Sequence, residues 1–286
     1  YGINVVCDTY ISEIKKDSDG RFSVNGMPGY DNIILAAGGK ASKKFGTDGS
    51  SYALAKMLGH STTDLYPSLV RINASPEICR SIKGVRAKAR ISVLSGGEIV
   101  TRNYGEVLFT GNGISGICAM QCAKYVEKEK KAKLVLDLCP DIRAEELKIF
   151  IENTKVNMPD EKASHMMSGI MHIALGKALL KNCGISPDTK LSELSDIQTQ
   201  LIADSIKAFV LIPDGTDGFD EAQVTAGGVK TDEIDIRTLG SKKTPGAYLC
   251  GELLDADGDC GGYNLHFAFA SGIIAGRSCA SAEEIK

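Results

Sequence analysis

The segment Ala247–Leu265 limits the folding options of this chain more than any other. A short apolar run, Ala247 to Cys250, passes into a glycine-rich turn and then into an apolar helix expected from about Asn264 to Ala280. Glycines let a backbone approach a ligand closely and take up positive φ. The start of a helix offers unpaired N–H groups and about half a positive charge, which suits a phosphate or a developing anion. Ala268, Ala270, Ser271, Gly272, Ala275 and Gly276 keep the helix slim along Gly251 to Gly276, so it can pack tightly on a sheet or a flat ring.

A matching half lies near the other end. Ile33-Ile34-Leu35-Ala36-Ala37 is a continuous apolar run suited to a strand buried on both faces, and it ends in Gly38-Gly39. Before it, Asn4 to Cys7 and Arg21 to Val24 read as strands; after it, Tyr52 to Leu58 reads as a helix with Ser50 or Ser51 as N-cap and Gly59 as the C′ residue. The middle of the chain changes character. Arg90 to Leu94, Ile99 to Arg102, Val107 to Thr110 and Lys133 to Leu138 alternate as short strands, with Gly96-Gly97 as a hairpin signal and one helix over Ser115 to Val126. Ala144 to Asn153, Glu161 to His172, Ile173 to Asn182 and Leu191 to Ile206 follow as helices, before strand character returns at Ala208 to Ile212 and Ala222 to Thr225. The pattern is that of an α/β nucleotide-binding domain split by an insertion. Its parts are expected at 1–60 and 223–286, with a small sheet or β-barrel at 61–140 continued near 205–222 and an α-helical subdomain at 141–204.

Charge and cysteine usage exclude several classes. With a net charge of −3 and scattered Lys and Arg, the chain carries no stripe for nucleic acid, and no apolar run reaches the length of a membrane span. Nine cysteines without a C-x-x-C pair suit reduced, cytoplasmic thiols; Cys118 and Cys122 read as small buried hydrophobes on one helix face. Asp255, Asp257 and Asp259 imitate a calcium loop, but its glycine comes one place late and its twelfth position is His266, so no metal is expected. Gly113-Ile114-Ser115-Gly116 lacks the last glycine of a hydrolase nucleophile elbow. Among the histidines, His60 follows a helix end, and His165 and His172 would share a face if one helix carried both. His266 on the first turn of the C-terminal helix is the candidate catalytic group.

Beyond these single features, Ala36-Ala37-Gly38-Gly39 with Ser42, Gly46-Thr47-Asp48-Gly49, Gly59-His60, Pro67-Ser68-Leu69-Val70, Gly105 to Thr110 with Gly113 to Gly116, Val224 to Val229 and the C-terminal stretch occur in one order. In that order they resemble the BaiN/RdsA-like flavoproteins, the aminoacetone-oxidase family of FAD-binding proteins. The resemblance implies a Rossmann-like FAD domain, here partial, an inserted six-stranded barrel and a helical subdomain. It implies an oxidoreductase that moves hydride through FAD to or from a small molecule, with NAD(P)H as a donor. Gly38, Gly39, Asp48 and Gly49 would then lie beside the cofactor, and Thr225, Gly227 and Gly228 would line the return segment. Gly251, Glu252 and Asp255 would meet ribityl or phosphate groups, while Gly261, Gly262, Tyr263, Asn264 and Leu265 would offer backbone to the flavin ring. Two positions depart from the family's pattern: His266 stands where many relatives have Gln, and Gly111 where many have His. The family's G-x-G-x-x-G unit is absent, so the chain, starting at Tyr1 in a strand-like run, reads as the C-terminal part of such a protein. The competing expectation is an inert module that binds no FAD by itself.

Overall fold

The computed structural model describes residues 2–281. The chain divides into two compact units, one made of the residues up to Tyr66 and from Gln223 onward, the other of Pro67–Ala222. The first opens with β1 (Ile14–Lys16), β2 (Phe22–Val24), β3 (Met27–Tyr30), β4 (Ile33–Leu35) and α1 (Ser51–Met57). β1, β2 and β3 form an antiparallel meander. Its second turn is Asn25-Gly26, both at positive φ, the pairing that matches strand twist in a two-residue hairpin. Asn25 also receives the N–H of Ser12 on its side-chain oxygen at 2.9 Å.

Residues 3–10 do not form the expected strand. Ile3, Val5, Val6 and Tyr10 are exposed, Val5 by 74 %, and no neighbouring strand pairs with them among the described residues. Apolar alternation alone is not enough, because a strand needs a ladder partner. β4 also departs from expectation: it ends at Leu35, and Ile34 is 40 % exposed, so one of its faces is open rather than buried.

After β5 (Tyr66–Ser68), the second unit holds β6 (Ile72–Ala74), α2 (Pro76–Ser81), β7 (Arg86–Ser95), β8 (Glu98–Phe109), β9 (Gly113–Ser115), α3 (Ile117–Met120), α4 (Ala123–Lys128) and β10 (Lys133–Asp137). It continues through α5 (Ala144–Asn157), α6 (Ala163–Ser168), α7 (Ile173–Asn182), α8 (Asp196–Lys207), β11 (Phe209–Leu211), β12 (Pro213–Thr216) and α9 (Gly218–Glu221). Seven strands form one sheet in the order β11-β10-β7-β8-β9-β6-β12. No ladder joins β11 to β12 among the described residues, so the expected closed six-stranded barrel is instead an open sheet of seven strands. The two edge strands are nonetheless consecutive, separated by Ile212, whose N–H and carbonyl both bond to Ser75. Pro213 has no N–H for a ladder, which suits its place at an edge. The inward face of the sheet is fully buried at Ile91, Val93, Phe109, Leu134, Leu136 and Phe209. α3 packs on β8, and α8 on β10 and β11.

Several expected helices are shorter because polar side chains end them. The run Ser115 to Val126 breaks at Gln121–Cys122, where the Cys122 N–H turns to Ala119, so Cys118 lies on α3 while Cys122 stands at the N-cap of α4. α6 stops at Ser168, whose hydroxyl donates to the His165 carbonyl, and His172 caps α7 by accepting the Ala174 N–H. His165 and His172 therefore share no helix face. The run Leu191 to Ile206 divides at Ser195, which caps α8 reciprocally with Gln198.

The first unit closes with β13 (Val224–Ala226), β14 (Ala247–Leu249) and α10 (Tyr263–Ser281). β14 pairs with β4 in parallel, Ala247 opposite Ile33 and Leu249 opposite Leu35. Leu35, Leu54, Ala55, Val229, Leu249, Leu253 and Ala275 share its core. A buried polar group ties the loop after β13 to the end of α1. His60, 3 % exposed, places Nδ1 3.1 Å from Glu233 and Nε2 2.7 Å from the Ser241 hydroxyl. Glu233 also accepts the N–H and hydroxyl of Ser61, and Ser241 Oγ accepts the N–H groups of Lys243 and Thr244. With its lone pairs engaged in this way, the Ser241 hydroxyl braces the loop.

Two outcomes follow for stability. Ile91→Ala, at the centre of the buried sheet face, should cost roughly 2–5 kcal/mol in denaturant melts. Burial lowers the His60 pKa below its usual 6.5, and hydrogen bonds from Ser61 and His60 bring Glu233 down to about 2. Both groups bind protons more readily when unfolded, so their stabilisation is complete above about pH 6.5 and is lost as pH falls, first through His60 and then, below about 4.5, through Glu233. Thermal melts of His60→Gln should lose the upper part of that pH slope and keep the lower part.

Candidate functional site

Parallel pairing of β4 and β14 delivers two loops side by side at the ends of the strands, Gly38-Gly39 after β4 and Gly251-Glu252 after β14. Thr225, buried in β13, fixes both. Its hydroxyl oxygen accepts the N–H groups of Lys40 at 2.8 Å and Ala41 at 2.9 Å, and its own N–H donates to the Glu252 carboxylate at 2.8 Å. A side chain at Gly39 would put its Cβ 2.6 Å from both Glu252 Oε1 and Thr225 Oγ1. Thr47 and Ser51 hydroxyls donate to the carbonyls of Gly39 and Gly38. Asp48 does something different from what its motif suggests: it is exposed, and hydrogen bonds from the Ser50 hydroxyl and from the Ser50 N–H at 2.9 Å hold its carboxyl below the usual range and shape the entry to α1 beside Gly49.

The return segment is as tight. Gly228 donates to Thr63 Oγ1 at 3.0 Å, and the Thr63 hydroxyl lies 3.0 Å from Asp255 Oδ2 and 3.3 Å from the Gly228 carbonyl. Val229 exchanges backbone bonds with Leu253 and Asp255, which seats Gly227 and Gly228 directly against the turn. A Cβ at Gly228 would meet the Leu254–Asp255 backbone at 2.6 to 2.7 Å. Nearby, the Tyr52 hydroxyl is buried without a hydrogen-bond partner among the described residues, and burial together with the Glu252 and Asp255 charges pushes its pKa up.

At the third part of the site, Gly251 N–H donates to the buried Ser271 hydroxyl of α10 at 2.9 Å, locking the turn to the helix. Asn264 closes the 258–264 loop through two bonds to Gly258, so its side chain is spent within the loop and only its backbone remains on offer. The first intrahelical bond runs from His266 N–H to Gly262. That leaves the N–H groups of Tyr263, Asn264 and Leu265 without an acceptor among the described residues, at the positive end of a 19-residue helix. Gly261, Gly262, Tyr263, Leu265 and His266 are all exposed there, and the His266 imidazole makes no hydrogen bond among the described residues.

The expected residues therefore gather into three groups. Gly38, Gly39, Thr225, Glu252 and Gly251 meet at the strand ends; Gly227, Gly228 and Asp255 sit on the return segment; Gly261 to His266 form the start of α10. Asp48 and Gly49 stand apart at the entry to α1. Thr47, Tyr52, Thr63 and Ser271 line the same region without having been singled out as site residues in the sequence: Thr63 and Ser271 meet partners far along the chain, Thr47 bonds the Gly39 carbonyl, and the Tyr52 hydroxyl is buried without a partner among the described residues. No group of three or more metal-capable side chains occurs among the described residues, and no helix there is long and apolar enough to cross a membrane.

The chain is 37 % identical over 254 residues to a 3-dehydro-bile acid delta(4,6)-reductase of Clostridium scindens, covering 87 % of this chain and 62 % of that protein. It is 27 % identical over 268 residues to a ribosomal RNA dihydrouridine synthase of Escherichia coli, covering 91 % and 64 %. Against the protein of the same name from Haemophilus influenzae the identity is 28 % over 282 residues, covering 95 % and 67 %. The chain thus spans about two thirds of the length of these curated relatives. Residues 1–278 match the family model described as the HI0933-like protein Rossmann domain, and the chain belongs to that family.

Proposed function

We propose that this chain supplies the flavin-side part of an FAD-dependent oxidoreductase that transfers hydride between FAD and a small molecule, with NAD(P)H as the donor. The observation that carries the reading is the cradle at the strand ends, where Gly39 and Gly228 leave no room for a side chain and open N–H groups crown α10. The unpartnered Tyr52 hydroxyl among Glu252 and Asp255 fits a polar cofactor in the same place. A relative named as a reductase supports the reaction class, and nine free thiols, four of them buried, suit the cytoplasm.

When bound, FAD supplies the hydride chemistry itself, taking two electrons and a proton from one partner and giving them to another. The chain's residues would do the rest. Glu252, oriented by Thr225, and Asp255, oriented by Thr63, are acceptors for ribityl hydroxyls. Gly38, Gly39, Gly227, Gly228 and Gly251 let backbone come close. The N–H groups of Tyr263, Asn264 and Leu265 offset negative charge that accompanies hydride arrival, with the helix dipole behind them. Gly261 and Gly262 keep that approach free of side chains. His266, exposed on the same turn, holds a proton on a ring nitrogen for delivery to the acceptor, and Asp48 with Gly49 shapes the outer entry.

Titration of the purified protein with FAD should quench flavin fluorescence and give a yellow species that dithionite bleaches and NADH or NADPH reduces anaerobically; absence of any flavin binding contradicts the reading. Gly228→Ala should lower stability by roughly 1–3 kcal/mol through overpacking against Leu254 and Asp255, and should weaken flavin binding at least tenfold at temperatures where the variant stays folded.

A further inference from the structure

The outward face of the seven-stranded sheet carries a concavity of about 480 Å³, and no part of the hydride chemistry uses it. Its chemistry comes from strand register. On β7, Arg90, Ser92 and Leu94 alternate with the buried Ala89, Ile91 and Val93 and so share the outer face. Ser92 lies opposite Arg102 of β8 on one side and Val135 of β10 on the other; Arg90 lies opposite Tyr104 and Asp137. Cations scattered in the sequence are thereby brought together, which the even distribution of Lys and Arg along the chain conceals.

Charge is unbalanced on this face. Asp137 is held by Lys207 at 2.8 Å, and Lys207 spends its remaining hydrogens on the carbonyls of Cys139 and Ile142. Arg90 reaches Asp137 only at 3.8 Å. Asp141 is taken by Lys88 at 2.9 Å and by the Tyr104 hydroxyl at 3.2 Å. Arg102 has no ion-pair partner among the described residues. Lys88, Arg90, Arg102 and Lys207 thus meet the two carboxylates Asp137 and Asp141, leaving an excess of two positive charges. The excess sits on two guanidinium groups with a serine hydroxyl between them. Planar forks of this kind grip a phosphate with paired hydrogen bonds. Beside them Leu94, Ile99 and Val135 make an apolar floor, and the Tyr104 ring, 49 % exposed, is anchored by its hydroxyl.

We propose that this face binds a nucleotide through its phosphate. Arg90 and Arg102 clasp the phosphate oxygens, Ser92 donates to one of them, and the base lies on Tyr104 and the aliphatic floor. A free mononucleotide and a nucleotide within a single RNA strand offer the same chemistry, and binding measurements separate them. A flat apolar body alone would not need an unpaired Arg102 beside a loosely paired Arg90, and a bare inorganic anion would not need the floor.

The test measures binding of adenosine monophosphate, of adenosine, and of a short single-stranded RNA to the full chain, the Arg102→Gln variant and the Arg90→Gln variant. Arg102 is exposed and unpaired, so Arg102→Gln should melt with the parent protein and bind FAD equally. Expected are binding of the phosphate-bearing probes over adenosine and a loss of about tenfold in each variant. Tighter binding of the RNA with a steep salt dependence identifies a strand as the occupant, whereas equal or better binding of the monophosphate identifies a free nucleotide. The proposal is overturned if neither phosphate probe binds, if adenosine binds as well as its monophosphate, or if binding is displaced by FAD and unchanged in Arg102→Gln.

Discussion

Thr225 is the point on which the first unit depends. One buried hydroxyl oxygen receives the N–H groups of Lys40 and Ala41, and the N–H of the same residue turns back to Glu252. These contacts fasten the exit of β4, the return strand β13 and the turn after β14 to each other. A buried N–H left without an acceptor costs about 1–3 kcal/mol, so removing this oxygen would strand two donors at once. The closeness also dictates composition. Gly39 has to be glycine because Glu252 and Thr225 already occupy the volume of a Cβ, and Gly228 has to be glycine because the Leu254–Asp255 backbone does. What the sequence shows as a scatter of glycines is, in space, one backbone surface with its side chains removed.

Much of that surface was legible in the sequence. The apolar run ending in Gly38-Gly39, the run Ala247 to Cys250 and the small-residue helix after it are local patterns set by burial on a strand and by helix packing, and the structure forms β4, β14 and α10 there. Long-range polar partners were not legible. Thr63 meets Gly228 and Asp255, and Ser271 meets Gly251, across separations at which no periodicity operates. Local signals also misled where polar side chains compete for backbone. Ser195 and His172 cap helices inside runs whose apolar spacing continues through them. Val107 to Thr110 and Ile99 to Arg102 read as separate strands, yet β8 runs unbroken through Gly105, which keeps its place opposite Ala89 at a φ of +154° that glycine tolerates. The apolar residues 3–10 read as a strand and lie exposed, since hydrophobic pattern states what could be buried and not what it is buried against.

The two units answer to different constraints. In the first, sequence requirements fall on backbone shape: glycines at close approaches, threonines and serines that satisfy strand ends, and a helix start left open. In the second, the inner face of the sheet is uniformly apolar while its outer face carries arginine, serine and tyrosine in a register that nothing in the linear sequence advertises. A bile acid reductase and ribosomal RNA dihydrouridine synthases share the family with this chain, and their names differ in what they act upon.

Amide hydrogen exchange with and without FAD tests the central claim most directly, because it reads individual N–H groups. The N–H groups of Tyr263, Asn264 and Leu265 have no acceptor among the described residues and should exchange fast in the free protein. Adding FAD should slow exchange at those three positions and around Gly38-Gly39 and Gly251-Glu252, with the inward strands β7 and β10 unchanged. Unaltered exchange at the start of α10 under saturating FAD, or protection confined to Pro67–Ala222, would contradict the account.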